Sequence, residues 1–183
     1  MGEMMEQARA VVVPQGRASR VSDGDVATAV AVSAGAVLIS ALLAARWSPG
    51  PGHGAITRQY RRLEKAPFNP PDWAFGVWGP LYLGLTVAGA RLWNAPQGPA
   101  RTRALGHWFG IQGLNALWMW LGFRKGQRGA AAVEAAVTVV NAAAFVDAAR
   151  EVDRPAAWLG GVYAGWVSFA ALLAEELWRR NRR

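Results

Sequence analysis

The 183-residue sequence contains no cysteine, which excludes disulfides, thiolate metal sites and cysteine nucleophiles. Histidine is nearly absent too, with only His53 and His107, far apart in the chain. The strings that mark a serine nucleophile elbow, a phosphate-binding loop or a zinc-protease helix do not occur. The most informative absence is local. No Asp, Glu, Lys or Arg falls within 26–45, 73–90, 104–123 or 155–174, and 129–146 carries a single charge, Glu134. Each block is about 18–20 residues, the length an α-helix needs to cross about 30 Å of hydrocarbon. One such run fits a buried core helix. Five of them, joined by short charged loops, leave too little polar surface for a water-soluble fold. The expectation is an all-α integral membrane bundle of five transmembrane helices.

What is present agrees with that reading. Apolar residues make up 52% of the chain and charged residues 17%, while ten tryptophans are several times the usual load. The mean hydropathy of +0.10 averages apolar blocks with basic joints. A net charge of +8 and a pI near 11.2 invite a nucleic-acid reading. The basic residues sit at the ends of the blocks instead of forming one stripe, so no nucleic-acid partner is expected. Residues 1–25 read as a flexible tail. Their charges nearly cancel and the apolar run behind them is too long for a signal peptide. The five-helix domain then covers 26–181, with spans near 26–47, 73–93, 105–123, 129–149 and 155–178. Between the first two lies a long joint, 48–72, opened by a glycine–proline string. Five spans place the termini on opposite sides, with twelve Lys and Arg on the C-terminal side against eight on the other. The positive-inside rule then favours the N-terminus out and the C-terminus in.

Inside the blocks, a few polar and aromatic residues stand out. Glu134 is the single acid within a span, where a charge at the bilayer centre costs about 2.5–3.5 kcal/mol on insertion scales. It reads either as a helix-packing hydrogen bond or as a functional group. Trp47, Trp93 and Trp178 lie at span ends, where indoles anchor in the headgroup layer. Trp78, Trp118 and Trp166 lie deeper and should face protein or a cavity, because lipid offers an indole N–H no acceptor. Gln112, Asn115 and Trp118 recur every three residues, on one side of the third span. That stripe is either interhelical glue or a ligand-facing surface. Pro80 falls well inside the second apolar block and should kink its helix. Alanine-rich 130–144 offers a smooth face for close packing.

Several strings resemble a known family, the TspO/MBR proteins, also called translocator or tryptophan-rich sensory proteins. Tyr60-Arg-Arg-Leu63-Glu-Lys65, leading through Phe68-Asn-Pro70-Pro71-Asp-Trp73 to Val77-Trp78-Gly79 and Leu81-Tyr82, is similar to that family's first loop and second helix. Gln112-x-x-Asn115-x-x-Trp118 followed by Phe123-Arg124 is similar to its third helix, and Tyr163-x-x-Trp166-x-x-Phe169-Ala170 to its last. Glu134 falls where members carry an acid in the fourth helix. The resemblance implies a five-helix bundle, often a homodimer, with a ligand pocket capped by the first loop. The implied ligands are tetrapyrroles such as protoporphyrin IX, with no cofactor required. By position it implies a ligand site built from Trp78, Asn115, Trp118, Trp166 and Ala170, with Asp72 and Trp73 at the mouth. Tyr82, Gln112 and Tyr163 are added as ligand-binding candidates. The sequence departs from the family at Ala66, Phe68, Ala130, Ala174 and Glu175. Glu175 replaces the tyrosine of the proposed sterol motif, which points away from sterols more than from porphyrins.

The functional expectation is a membrane receptor or sensor that binds a porphyrin or another apolar small molecule in an aromatic intramembrane pocket. Flat macrocycles offer a large face for indoles. Arg58, Arg61, Arg62 and Lys65 are near enough in sequence to pair with propionates. The alternatives are a light-dependent porphyrin-degrading enzyme, resting on tryptophan redox chemistry, and a small porphyrin or lipid transporter.

Overall fold

A computed structural model describes residues 23–49 and 52–182, except the side chains of Asp72 and Phe75. The expected tail lies almost wholly outside the described residues. The described chain is all-helical: α1 (Asp23–Ala45), α2 (Gly54–Arg61), α3 (Trp78–Asn94), α4 (Pro99–Met119), α5 (Arg128–Arg150) and α6 (Arg154–Arg180). A 3-10 helix, Asp72–Val77, leads into α3, and a π-turn, Trp120–Arg124, closes α4. By length and composition, α1, α5 and α6 can each cross a bilayer.

The long helices pack in a ring, α1 against α3, α3 against α6, α6 against α5, α5 against α4 and α4 against α1, with α3 and α4 also touching. On α1, and in part on α5, small residues line the inward face. On α1 the buried positions are Ala29, Ser33, Val37, Ser40 and Ala44, one stripe at three- and four-residue spacing. Leu38, Ile39, Leu42 and Leu43 of the same helix are exposed. The helix is thus sided by size instead of by polarity. Lipid tails are as apolar as leucine, so within a bilayer close backbone approach, not hydrophobicity, selects the inner face. Helix α5 repeats the pattern, burying Ala131, Ala135, Ala142 and Ala148 while Val133, Val137 and Val140 face out.

A close contact is where α1, α3 and α4 meet. A Cβ on Gly89 would lie 2.6 Å from Trp108 Cζ2 and 2.9 Å from Ser33 Oγ. The missing side chain lets the Trp108 ring lie against α3, and its indole N–H donates to Leu85 O at 2.8 Å. Trp108 is fully buried structural core, a role the sequence reading did not single out.

Helix ends are held by polar contacts. Arg101 donates to Leu92 O and Trp93 O, two carbonyls at the end of α3. Asp153 caps α6 through Ala156 N–H at 2.7 Å and receives a two-point contact from Arg91 at 2.9 and 3.0 Å. That guanidinium, with burial opposing it, holds the Asp153 carboxyl below the ordinary carboxylate range. After the π-turn, Gly126 takes φ +66°, a left-handed conformation that ends the helix and releases the chain into α5.

Within the joint 48–72, Gly54–Arg61 forms a helix. Two expectations about elements are corrected. Pro80 does not sit mid-helix: the preceding residues are wound as a 3-10 helix, and α3 begins at Trp78. Pro80 therefore falls in the first turn of α3, where its missing donor matters least. The third long helix, α4, begins at Pro99, six residues before the start expected for the third span, with Arg101 satisfied by the end of α3.

Candidate functional site

Helix α6 presents Trp166, Ala170, Leu173 and Leu177 on one face, spaced four, three and four residues apart. That face closes a cleft whose other walls are Trp78 of α3, Trp118 of α4, Phe123 of the π-turn and Tyr60 of α2. Ala66, Asn69, Pro70 and Ala74 cover it from the joint and the 3-10 helix. The cleft holds about 720 Å³ of empty space, part of it continuous with the surroundings. A smaller cavity adjoins it, sharing Trp78, Trp118 and Ala170 and adding Asn115, Glu134, Ala135, Thr138 and Val167.

The aromatic walls pack edge to face. Trp78 and Trp166 have ring centroids 6.2 Å apart at 88°, and Trp118 meets Phe123 at 5.9 Å and 87°. Tyr60 meets Phe123 at 5.6 Å, so α2 is joined to the cavity wall through the π-turn. The wider π-turn carries Phe123 to both rings. Lys65 Nζ lies 4.5 Å from the Tyr60 ring centroid, which puts one ammonium beside the rim. The joint is fastened to the end of α6 by a reciprocal pair: Glu64 N–H donates to Asn181 Oδ1 at 3.1 Å, and Asn181 Nδ2 donates to Glu64 O at 2.9 Å.

Polar groups in the wall are conspicuous for lacking partners. Among the described residues, Trp118 Nε1, Trp166 Nε1 and Asn115 Nδ2 are buried donors without an acceptor and Glu134 Oε2 is a buried oxygen without a partner, while Gln112 Oε1, outside the wall, is also unpaired. Buried polar atoms are nearly always paired, and each unpaired one costs about 1–3 kcal/mol. Asn115 is 7% exposed and Glu134 5%. Tyr163 O–H occupies Asn115 Oδ1, and Thr138 O–H donates to Glu134 Oε1 at 2.8 Å. Each residue therefore keeps one polar atom unused beside the smaller cavity. Such an arrangement can hold a bulky apolar molecule by its faces while offering a few hydrogen bonds to its polar atoms.

The structure brings Trp78, Asn115, Trp118, Trp166 and Ala170 together around these two cavities. Tyr163, Gln112, Tyr82 and Trp73 line neither. Tyr163 is fully buried behind Asn115, Gln112 bonds back to Trp108 O while Ser40 O–H reaches Gln112 O, and Tyr82 packs on Trp78 with centroids 5.8 Å apart. Trp73 is 76% exposed, and the Asp72 side chain lies outside what is described. The polar stripe on α4 thus divides: the Gln112 side chain bonds within its own helix, Asn115 is tied to α6 through Tyr163, and Trp118 is cavity wall. Leu173 and Leu177 were legible as continuations of the Trp166 face, whereas Tyr60, Asn69 and Phe123 carried no local signal for the cavity.

Comparison with known proteins gives a consistent result. A family profile described as "TspO/MBR family" matches residues 28–179. The translocator protein of Ovis aries is 35% identical over 128 residues, covering 68% of this chain and 76% of that protein. The translocator protein of Bos taurus is 32% identical over 147 residues, covering 79% and 85%. That of Homo sapiens is 33% identical over 132 residues, covering 70% and 78%.

Proposed function

The chain belongs to the TspO/MBR family and is an integral membrane protein, and from that premise we propose that it is a receptor or sensor for tetrapyrroles of the protoporphyrin IX type. One observation carries the reading. Three indoles line an apolar cleft in a bundle with outward-facing aliphatic side chains, and two of those indoles, Trp118 and Trp166, have buried N–H groups that nothing in the described protein accepts. A macrocycle in the cleft would cover the ring faces and supply acceptors. Its propionates would lie toward the rim, where Lys65 is the nearest cation by contact, through Tyr60.

The reading includes five spans with the N-terminus outside. Helix α3 has 17 residues, roughly 25 Å of α-helix, and the six-residue 3-10 run before it adds roughly 12 Å. Helix α4, with 21 residues, is long enough once Arg101 and Arg103 are placed at the interface. A homodimer is included on the family resemblance alone.

The test is a titration of the detergent-purified protein with protoporphyrin IX. Tryptophan emission is expected to be quenched with micromolar affinity, and Trp166→Ala to weaken binding at least several-fold. Emission that stays constant across the titration removes the proposal. Illumination separates sensing from breakdown, since an enzyme would yield a new absorbing product lost in Trp118 or Trp166 variants. Flux of labelled porphyrin into proteoliposomes separates both from transport.

A further inference from the structure

The turn joining α5 to α6 holds four charged residues, Arg150, Glu151, Asp153 and Arg154. Both acids are engaged by other helices. Glu151 Oε2 accepts from Arg103 Nη2 at 2.7 Å, and Asp153 is taken by Arg91. Among the described residues, neither Arg150 nor Arg154 has a hydrogen bond or an ion pair. Asp147, one turn earlier on α5, is exposed and does not face them across the groove described next. The turn has therefore given away its anions and kept two cations. Arg154 lies in the first turn of α6, whose N-terminal dipole is already met by the capping carboxylate of Asp153.

Below the two arginines, the seam between α5 and α6 forms a shallow surface groove open to its surroundings. Val146, Trp158, Gly161 and Val162 line it. Trp158 is 69% exposed, and a Cβ built on Gly161 would meet nothing within 4 Å. An unpaired cationic end above an apolar trough complements one kind of molecule in a bilayer.

We propose that this groove seats a phospholipid with an anionic headgroup, its phosphate at Arg150 and Arg154 and one acyl chain along Gly161 and Val162. Guanidinium groups suit the phosphate, because their forked donors match its oxygens. Trp158 sits at the depth where an indole meets the glycerol region. The site lies on the α5–α6 face, built from other residues than the aromatic cleft, so its test is independent of porphyrin binding.

Native mass spectrometry of the full chain in detergent, with equal dioleoylphosphatidylglycerol and dioleoylphosphatidylcholine, tests it. Phosphatidylglycerol adducts should exceed phosphatidylcholine adducts several-fold. Arg150→Gln/Arg154→Gln should lower phosphatidylglycerol occupancy several-fold, to the level of phosphatidylcholine. Arg46→Gln/Arg128→Gln, at the opposite helix ends, should keep the preference. Gly161→Phe, entering open space without a fold penalty, should reduce both adducts with the arginines intact. Equal adducts on the unaltered chain, a preference that survives the double arginine variant, or no effect of Gly161→Phe would each overturn the proposal. So would full cross-linking of Val162→Cys between two copies in vesicles, which would place a second chain in the groove.

Discussion

The Tyr163 hydroxyl of α6 donates to Asn115 Oδ1 of α4 at 2.7 Å, with both side chains buried. The bond ties two helices that flank the cleft and turns the Asn115 amide so that Nδ2 is left beside the smaller cavity. Removing the hydroxyl strands Oδ1 away from water. Tyr163→Phe should therefore lower stability by about 1–3 kcal/mol, read as a lower melting temperature in detergent. An unchanged melting point would mean that the bond contributes nothing.

The unpartnered indoles give the opposite sign. Replacing Trp166 or Trp118 with Phe removes a buried N–H that finds no acceptor among the described residues. The aromatic face is retained. Each variant should melt no lower than the parent, or slightly higher, yet bind protoporphyrin IX more weakly, by several-fold. A loss of stability that matches the loss of binding would show that these groups are structural.

Gly89 should tolerate almost nothing. An added methyl would lie 2.6 Å from Trp108 Cζ2 and 2.7 Å from Cε2, against a ring pinned by its bond to Leu85 O. Gly89→Ala should cost about 1–3 kcal/mol. Gly113, with nothing within 4 Å of its missing Cβ, is the control. Gly113→Ala should stabilise α4 by up to about 1 kcal/mol. Paired denaturation curves decide, and equal effects would contradict the close approach at Gly89.

Asp153 links stability to pH. Its folded-state carboxyl lies below the ordinary range, first through the Arg91 hydrogen bond. A depressed folded pKa contributes stability that is present above the unfolded value and lost as pH falls through the folded one. The Arg91 side chain is 45% exposed, so screening limits the pair to less than about 1 kcal/mol. Asp153→Asn should keep the α6 cap and lose only this term. Its melting deficit should be small at neutral pH, begin to shrink only below about pH 4, and vanish once the folded carboxyl is itself protonated. Asp153→Ala loses the cap as well and should cost about 1 kcal/mol more. A deficit for the Asn variant that persists in acid would refute the ion-pair origin.

Asn181 holds the joint over the cleft through both backbone groups of Glu64. Asn181→Ala should raise amide exchange across 62–70 without lowering the melting temperature by more than about 1 kcal/mol equivalent. Exchange that stays at the parental rate would show that the joint is held elsewhere.

The sequence by itself determined that the chain enters a membrane and roughly which segments do so. The cost of burying a charge in hydrocarbon is set segment by segment, so 26–45 or 155–174 could be read without reference to any other part of the chain. Family strings such as Tyr163-x-x-Trp166 were legible for the same reason, being local. Which residues meet was not. Trp78, Trp118 and Trp166 lie on three helices, and whether they share a cleft depends on how each helix is rotated about its axis and on the ring order of the bundle. Trp108 and Trp118 belong to one helix, yet one is wedged against Gly89 and the other lines a cavity. Pro80 read as a kink until the 3-10 turn before it moved the start of α3. Tertiary structure alone decided these points, because contacts between helices are properties of pairs, and composition describes each helix singly.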